Sequence, residues 1–185
     1  MKIIKFIFII FIILSSSLKA EINNDLLNTL KDGNKLIFIR HAYAPGGGDP
    51  DNFDIKDCST QRNLSESGRQ QATNIGNFFI KNKISFEAVY SSEWCRCKET
   101  AEIAFKDFKT KSFLNSFFSQ KFAKNKKKQI ADLNKFVGNL KSSGNIVFVT
   151  HYVLISETLN YAPSSGEIVI ADKEFNKIAS FEIEY

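Results

Sequence analysis

Histidine and cysteine are scarce in this chain, with two of the former (His41 and His151) and three of the latter (Cys58, Cys95 and Cys97). That scarcity argues against a zinc module, since Cys-x-Cys with two distant histidines is poor spacing for a tetrahedral site. No Cys-x5-Arg loop follows an apolar run, so a cysteine-nucleophile mechanism has no sequence support. No internal repeat and no low-complexity linker divide the chain, and 185 residues with 43% hydrophobic and 24% charged suit one globular domain. Nor is there an apolar run of the roughly 20 residues that a bilayer-spanning helix needs.

Positive charge outside the N-terminus is also lacking. The formal charge is +5, but Lys2, Lys5 and Lys19 fall in a leading segment that holds no acid, and the remainder is close to neutral. A nucleic-acid binder concentrates positive charge on its folded part. The only basic cluster here is Lys124, Lys126, Lys127 and Lys128, which reads as a solvated helix face. Nucleic acid is not expected as a partner.

What is present at the N-terminus is an export pattern. Lys2 and Lys5 precede an unbroken apolar run from Phe6 to Leu14, then Ser15-Ser16-Ser17-Leu18-Lys19-Ala20. A basic start, a short apolar stretch and a small residue before a polar segment are the marks of a secretory signal peptide. Residues 1–20 are therefore expected to be a signal peptide and 21–185 a single domain, periplasmic or secreted, with no stable membrane insertion after cleavage. Leu18 is larger than the small residue usual at its position. In an oxidising compartment three cysteines imply one disulfide and one free thiol. Cys95 and Cys97 lie too close for easy pairing with each other, so Cys58 is expected to pair with Cys95 or with Cys97.

Apolar runs alternate with helical patterns along the mature chain. Leu36–Ile39 and Ile146–Val149 are short and continuous, as in strands buried on both faces. Phe86 to Tyr90 reads as another strand, and Lys111 to Leu114 as a short one. Helical spacing covers residues 66 to 82, with Ser65 or Ser67 as the cap, then Cys95 to Phe105, Ser119 to Leu140 and Val153 to Tyr161. Glu167 to Ala171 and Ile178 to Ile183 suggest a closing hairpin. The expected fold class is α/β, three-layered, with a mostly parallel central sheet and helices on both faces.

In such sheets ligands bind beyond the carboxyl ends of the strands. His41 directly follows one apolar strand and His151 another, which would bring both imidazoles to one edge. Arg40 adjoins His41, and Arg96 opens the helix after the second strand, where free backbone N–H groups also favour anions. Arg62 is a further candidate at the end of the Pro45–Asp57 loop. Guanidinium forks match phosphate oxygens. The loop acids Asp49, Asp51, Asp54 and Asp57 lack the spacing of a calcium loop and read as solvated charge.

These residues resemble the signature of the histidine phosphatase superfamily, which includes the phosphoglycerate mutases. Arg40-His41-Ala42 is similar to its Arg-His-Gly. Leu64-Ser65-Glu66-Ser67-Gly68-Arg69-Gln70-Gln71-Ala72 is similar to its Leu-Thr-x-x-Gly-x-x-Gln-Ala, and Ser91-Ser92 with Arg96, Thr100 and Ala101 to its Ser-Ser-x-x-x-Arg-x-x-x-Thr-Ala. Val147–His151 resembles its second-histidine strand. Asp57–Leu64 and Trp94–Cys97 look like segments of a small exported branch. The resemblance spans residues 35 to 160 and implies a phosphoglycerate mutase-like fold.

It further implies that His41 is a nucleophile forming a phosphohistidine, with Arg40, Arg96 and His151 around the phosphoryl group. Arg62 joins them as a candidate phosphate ligand. No metal or other cofactor is implied, and the expected partner is a phosphorylated small molecule. The family's usual proton donor is missing, because neither Leu114-Asn115-Ser116-Phe117-Phe118 nor Tyr152 supplies an acid. Glu167 is the candidate replacement; without an acid, phosphoramidates or acyl phosphates, whose leaving groups need a proton less, become attractive substrates. Ala42 in place of glycine narrows the space beside His41. The alternative expectation is a weakly catalytic or non-catalytic binder of phosphorylated ligands on the same fold.

Overall fold

The computed structural model describes residues 24–184. The expected signal peptide, residues 1–20, lies outside them. Among the described residues no helix is long and apolar enough to cross a membrane.

The centre of the molecule is a parallel pair. Strand β1 (Leu36–Arg40) and strand β4 (Ile146–Thr150) run side by side with Leu36 opposite Ile146 and Arg40 opposite Thr150. Both are uninterrupted apolar runs because both faces of the sheet are covered. Strand β2 (Ala88–Ser91) pairs in parallel with β4, and the short β3 (Lys109–Thr110) with β2. On the other side, β5 (Ile168–Ala171) is antiparallel to β1, and β6 (Lys177–Phe181) antiparallel to β5. The order is β3-β2-β4-β1-β5-β6, a mostly parallel six-stranded sheet.

Alternation along the strands sorts the core into two layers. Ile37, Ile39, Val147 and Val149 point to one face, where they meet Leu30 of α1 (Asn24–Lys31), Ile75 and Phe79 of α2 (Glu66–Asn82), and Ala101 and Phe105 of α3 (Cys95–Phe105). Leu36, Phe38, Ile146 and Phe148 point to the other, against Leu133 and Val137 of α5 (Lys126–Gly138) and Leu154 and Ile155 of α6 (Tyr152–Leu159).

Two local features position the site. Ser65 caps α2, its hydroxyl accepting from the Gly68 N–H at 3.1 Å. Gly68 packs so tightly on the backbone after β1 that a Cβ there would lie 2.0 Å from the Tyr43 carbonyl oxygen. The start of α2 is thereby held against the segment carrying His41.

The long helix expected over Ser119–Leu140 is broken. A short α4 (Gln120–Ala123) precedes α5, and Phe122 packs edge-on against Trp94 and Phe53, with ring centroids 5.4 Å apart in each case. A tertiary aromatic contact outcompetes helix continuity at that turn. The strand expected at Lys111–Leu114 lies earlier, at Lys109–Thr110. Ser112–Leu114 instead forms a 3-10 turn that buries Phe113 and Leu114, with the Leu114 carbonyl accepting from the Thr150 hydroxyl at 2.6 Å.

Candidate active site

Because β1 and β4 are parallel and in register, the residues after them emerge together. The His41 N–H donates to the Thr150 carbonyl at 2.9 Å, and the His41 and His151 rings stand 5.5 Å apart, near edge-to-face. Both rings are buried.

The hydrogen bonds set each tautomer. His41 Nδ1 lies 2.8 Å from the Ala42 carbonyl, which can only accept, so the proton sits on Nδ1 and Nε2 offers a lone pair. That lone pair receives the Arg96 Nε–H at 3.2 Å. His151 is the complement. Ser92 Oγ gives its single proton to Asn115 Oδ1 at 3.1 Å, and so accepts from His151 Nε2 at 2.8 Å, leaving Nε2 of His151 protonated. Asn115 is itself oriented by Glu93, whose carboxylate accepts from its Nδ2 at 2.6 Å. Burial, then the Arg96 charge, lowers both imidazole pKa values well below the ordinary 6.5, and both rings are neutral at neutral pH.

Three guanidiniums surround the imidazoles. Arg96, in the first turn of α3, is buried and gives Nη1 and Nη2 to Asp49 Oδ1 and Oδ2, at 2.7 and 3.3 Å. Arg40 gives Nη1 to the Pro163 carbonyl at 2.9 Å, and Arg62 gives Nη1 to the Ala44 carbonyl. The Nε groups of Arg40 and Arg62 are buried without a hydrogen-bond partner. Buried donors left unpaired are costly and rare, and burial lowers the pKa of both arginines. An oxyanion with several acceptor oxygens would relieve both.

All five of Arg40, His41, Arg62, Arg96 and His151 line one cavity of about 630 Å³, with Phe53, Trp94, Phe118, Phe122 and Tyr152 among its walls. That volume is in the usual range for a small-molecule site. Among the described residues no group of three or more His, Cys, Asp or Glu is placed to hold a metal ion.

Glu167, the candidate acid, is not on the cavity wall. It is buried, with Oε1 accepting from the Tyr161 hydroxyl at 2.5 Å and Oε2 from the Ser164 N–H at 2.7 Å. This corrects the expectation of a proton donor at that position. Its carboxylate instead holds the turn containing Pro163, whose carbonyl supports Arg40. Its partners lie three and six residues back, Ser164 in its own turn and Tyr161 just past α6.

Asp49 is the residue that sequence reasoning missed. Far from being a solvated loop charge, its carboxylate binds Arg96 and accepts from Trp94 Nε1 and the Arg62 N–H, each at 3.1 Å. Burial raises its pKa, but the hydrogen bond and charge of Arg96 prevail and hold it below the usual carboxylate value. The available signal was Gly46-Gly47-Gly48 before it and Pro50 after it. Gly46 and Gly48 have φ of 97° and 143°, conformations that favour glycine.

The loop is pinned where it matters. Cys58 and Cys95 form a disulfide, and Gln61 Oε1 accepts from the Cys95 N–H at 2.9 Å, at the N-terminus of α3. The free Cys97 is buried, its thiol pushed up to about 12 by burial.

Fold and cavity thus define an α/β protein whose strand ends converge on two neutral imidazoles and three guanidiniums. Residues 36–115 match the family described as histidine phosphatase superfamily (branch 1). Several solved structures share the fold. A phosphoglycerate mutase from Thermus thermophilus superposes with a TM-score of 0.56 at 14% identity, covering 81% of this chain and 99% of its own. A putative alpha-ribazole-5'-P phosphatase from Escherichia coli gives 0.59 at 14% identity, over 82% and 98%. The protein histidine phosphatase SixA, solved with tungstate, gives 0.53 at 14% identity, over 80% and 96%. No curated protein matches at the sequence level. The fold is phosphoglycerate mutase-like, and the stretch that matches the superfamily carries Arg40, His41, Arg62 and Arg96.

Proposed function

We propose that the protein is an exported, metal-independent phosphatase that hydrolyses phosphorylated small molecules, or phosphoramidates, through a phosphohistidine on His41. The observation that carries this reading is the His41 tautomer: the Ala42 carbonyl fixes the Nδ1 proton and leaves Nε2 unprotonated, its lone pair open to phosphorus once the Arg96 Nε–H turns to a phosphoryl oxygen. A neutral imidazole is the nucleophilic form, and burial beside Arg96 keeps it neutral.

In the first step the Nε2 lone pair bonds to phosphorus and the leaving group departs in line. Arg96, with Arg40, Arg62 and the Nε2–H of His151, stabilises charge on the phosphoryl oxygens. The two unpaired Nε–H groups are donors ready for that task. Water then attacks phosphorus and restores His41. Fixed cations take the part that a metal ion plays in other phosphoryl transfers. Export is supported by the Cys58–Cys95 disulfide, a bond that persists in oxidising compartments.

One observation favours a second reading, a phospho-ligand binder: the Arg96 fork is already held by the Asp49 carboxylate. Hydrolysis of p-nitrophenyl phosphate by the purified protein and its His41→Ala variant separates the two. We expect turnover by the wild type, none above background by the variant, and phosphorus trapped on His41 by mass spectrometry. Equal rates would overturn the enzyme reading. Phosphate-dependent thermal stabilisation without turnover would establish the binder.

A further inference from the structure

We infer that Asp49 is the general acid of the reaction, loaded with its proton when the substrate phosphoryl group displaces it from Arg96. The inference rests on the phosphohistidine reading and supplies the donor that the signature positions lack.

The argument begins with competition for one fork. Arg96 bonds both the nucleophile of that reading and an acid, through Nε to His41 Nε2 at 3.2 Å and through Nη1 and Nη2 to Asp49. A phosphoryl group within bonding distance of His41 Nε2 meets the Arg96 Nε–H first, and its next oxygen competes with Asp49 for Nη1 and Nη2. The displaced carboxyl stays next to the phosphoryl group, because the Trp94 indole and the Arg62 backbone N–H still bind it.

Displacement changes its protonation. Burial already favours the neutral acid, and the Arg96 contact opposes burial. Losing that contact and gaining a neighbouring phosphate dianion both push the proton onto Asp49. The proton comes from the ester itself, which enters as its monoanion, about a tenth of the ester at pH 7 with a second phosphate pKa of about 6. The Nε2–P bond then forms, the P–O bond breaks, and the Asp49 proton passes to the departing oxygen. In the second step the Asp49 carboxylate takes a proton from the attacking water as the Nε2–P bond breaks.

Open space adjoins the two residues before Asp49, where a Cβ at Gly47 or Gly48 would meet nothing within 4 Å. The other acids are worse placed. Asp51 lines the cavity but is exposed, Glu167 is outside it, and Asp54 and Asp57 each accept hydrogen bonds from their own turn.

The test compares leaving groups, using p-nitrophenyl phosphate against phenyl and n-butyl phosphate. For the wild type we expect kcat/KM to depend only weakly on leaving-group pKa, which needs no variant to measure. For Asp49→Asn we expect a loss on the order of 10²–10⁴-fold with n-butyl phosphate, the usual reach of acid catalysis. p-Nitrophenyl phosphate should change by less than about tenfold, with Asp49→Glu recovering part of the n-butyl activity. Equal losses on all three esters, or a steep dependence in the wild type, would overturn the inference. Faster turnover of every ester by Asp49→Asn would also overturn it, making Asp49 only a blocking anion. Loss of all activity in His41→Ala, measured beside these, keeps the phosphohistidine reading separate; turnover retained there would sink that reading rather than the role of Asp49 alone.

Discussion

The Nε–H of Arg96 points at Nε2 of His41 across 3.2 Å, so the guanidinium faces the lone pair and not a proton. A second positive charge on His41 would stand against Arg96, with Arg62 and Arg40 also nearby. Arg96 therefore does two things before any substrate arrives. It keeps Nε2 of His41 unprotonated, and it sets its guanidinium beside the same atom.

Titration of the two histidines follows from this. With only His41 and His151 in the chain, imidazole NMR signals are unambiguous, and neither is expected to show a midpoint near the ordinary 6.5. The linked stability has a defined sign. Both pKa values are depressed on folding, so the unfolded chain binds more protons as pH falls below 6.5. That stabilisation is complete above 6.5 and is lost as pH falls from there towards the folded values. Melting temperature should fall on that acid side, and a midpoint at 6.5 for either ring would refute the burial argument.

Replacing Arg96 by lysine keeps a charge but loses the fork that joins His41 to its anion site. The kcat/KM for p-nitrophenyl phosphate should fall on the order of 10²–10³-fold, the scale of losing a preorganised oxyanion donor. A change of less than tenfold would show that Arg40 and Arg62 suffice.

Asn115→Ala removes the acceptor that orients the Ser92 hydroxyl, and with it the Nε2–H tautomer of His151. One neutral hydrogen bond is worth about 1 kcal/mol, or roughly fivefold in rate. The expected effect is a fall of that size in kcat with little change in melting temperature.

Glu167→Gln should act on stability instead. Its oxygens accept from Tyr161 and Ser164 inside the protein, and a mispaired amide there costs about 1–3 kcal/mol. For a chain of this size that is a fall of roughly 2–12 °C in melting temperature. The dependence on leaving-group pKa should stay that of the wild type.

Cys58→Ser with Cys95→Ser opens a loop of sequence separation 37 and should lower stability by about 2–4 kcal/mol. Because Cys95 adjoins Arg96 and Cys58 ends the loop that carries Asp49, KM should rise as well. Denaturant unfolding and steady-state kinetics on the one variant check both.

The parts legible from sequence were those with local signals. Leu36–Ile39 and Ile146–Val149 announce buried strands by continuous apolar character, and His41 and His151 follow them by chain connectivity alone. A serine cap at 65 or 67 and the helical spacing of Ala72, Ile75 and Phe79 were equally local, and the structure chose Ser65. Lys124–Lys128 gave no such guide to where one helix ended and another began, because Phe122 turns aside for Trp94 and Phe53, which lie far away in sequence.

Composition and order along the chain therefore determined the layered architecture and the meeting of two imidazoles at one sheet edge, since parallel strands in register leave no other place for the residues that follow them. Only the tertiary structure decided which acid belongs to that edge. Asp49 and Glu167 are alike as letters, each beside a glycine. The first is drawn to Arg96 across 47 positions, while the second is consumed by hydroxyl and amide partners within its own corner of the fold. Long-range pairing of a charge depends on where the loops close, and no periodicity along the chain encodes that.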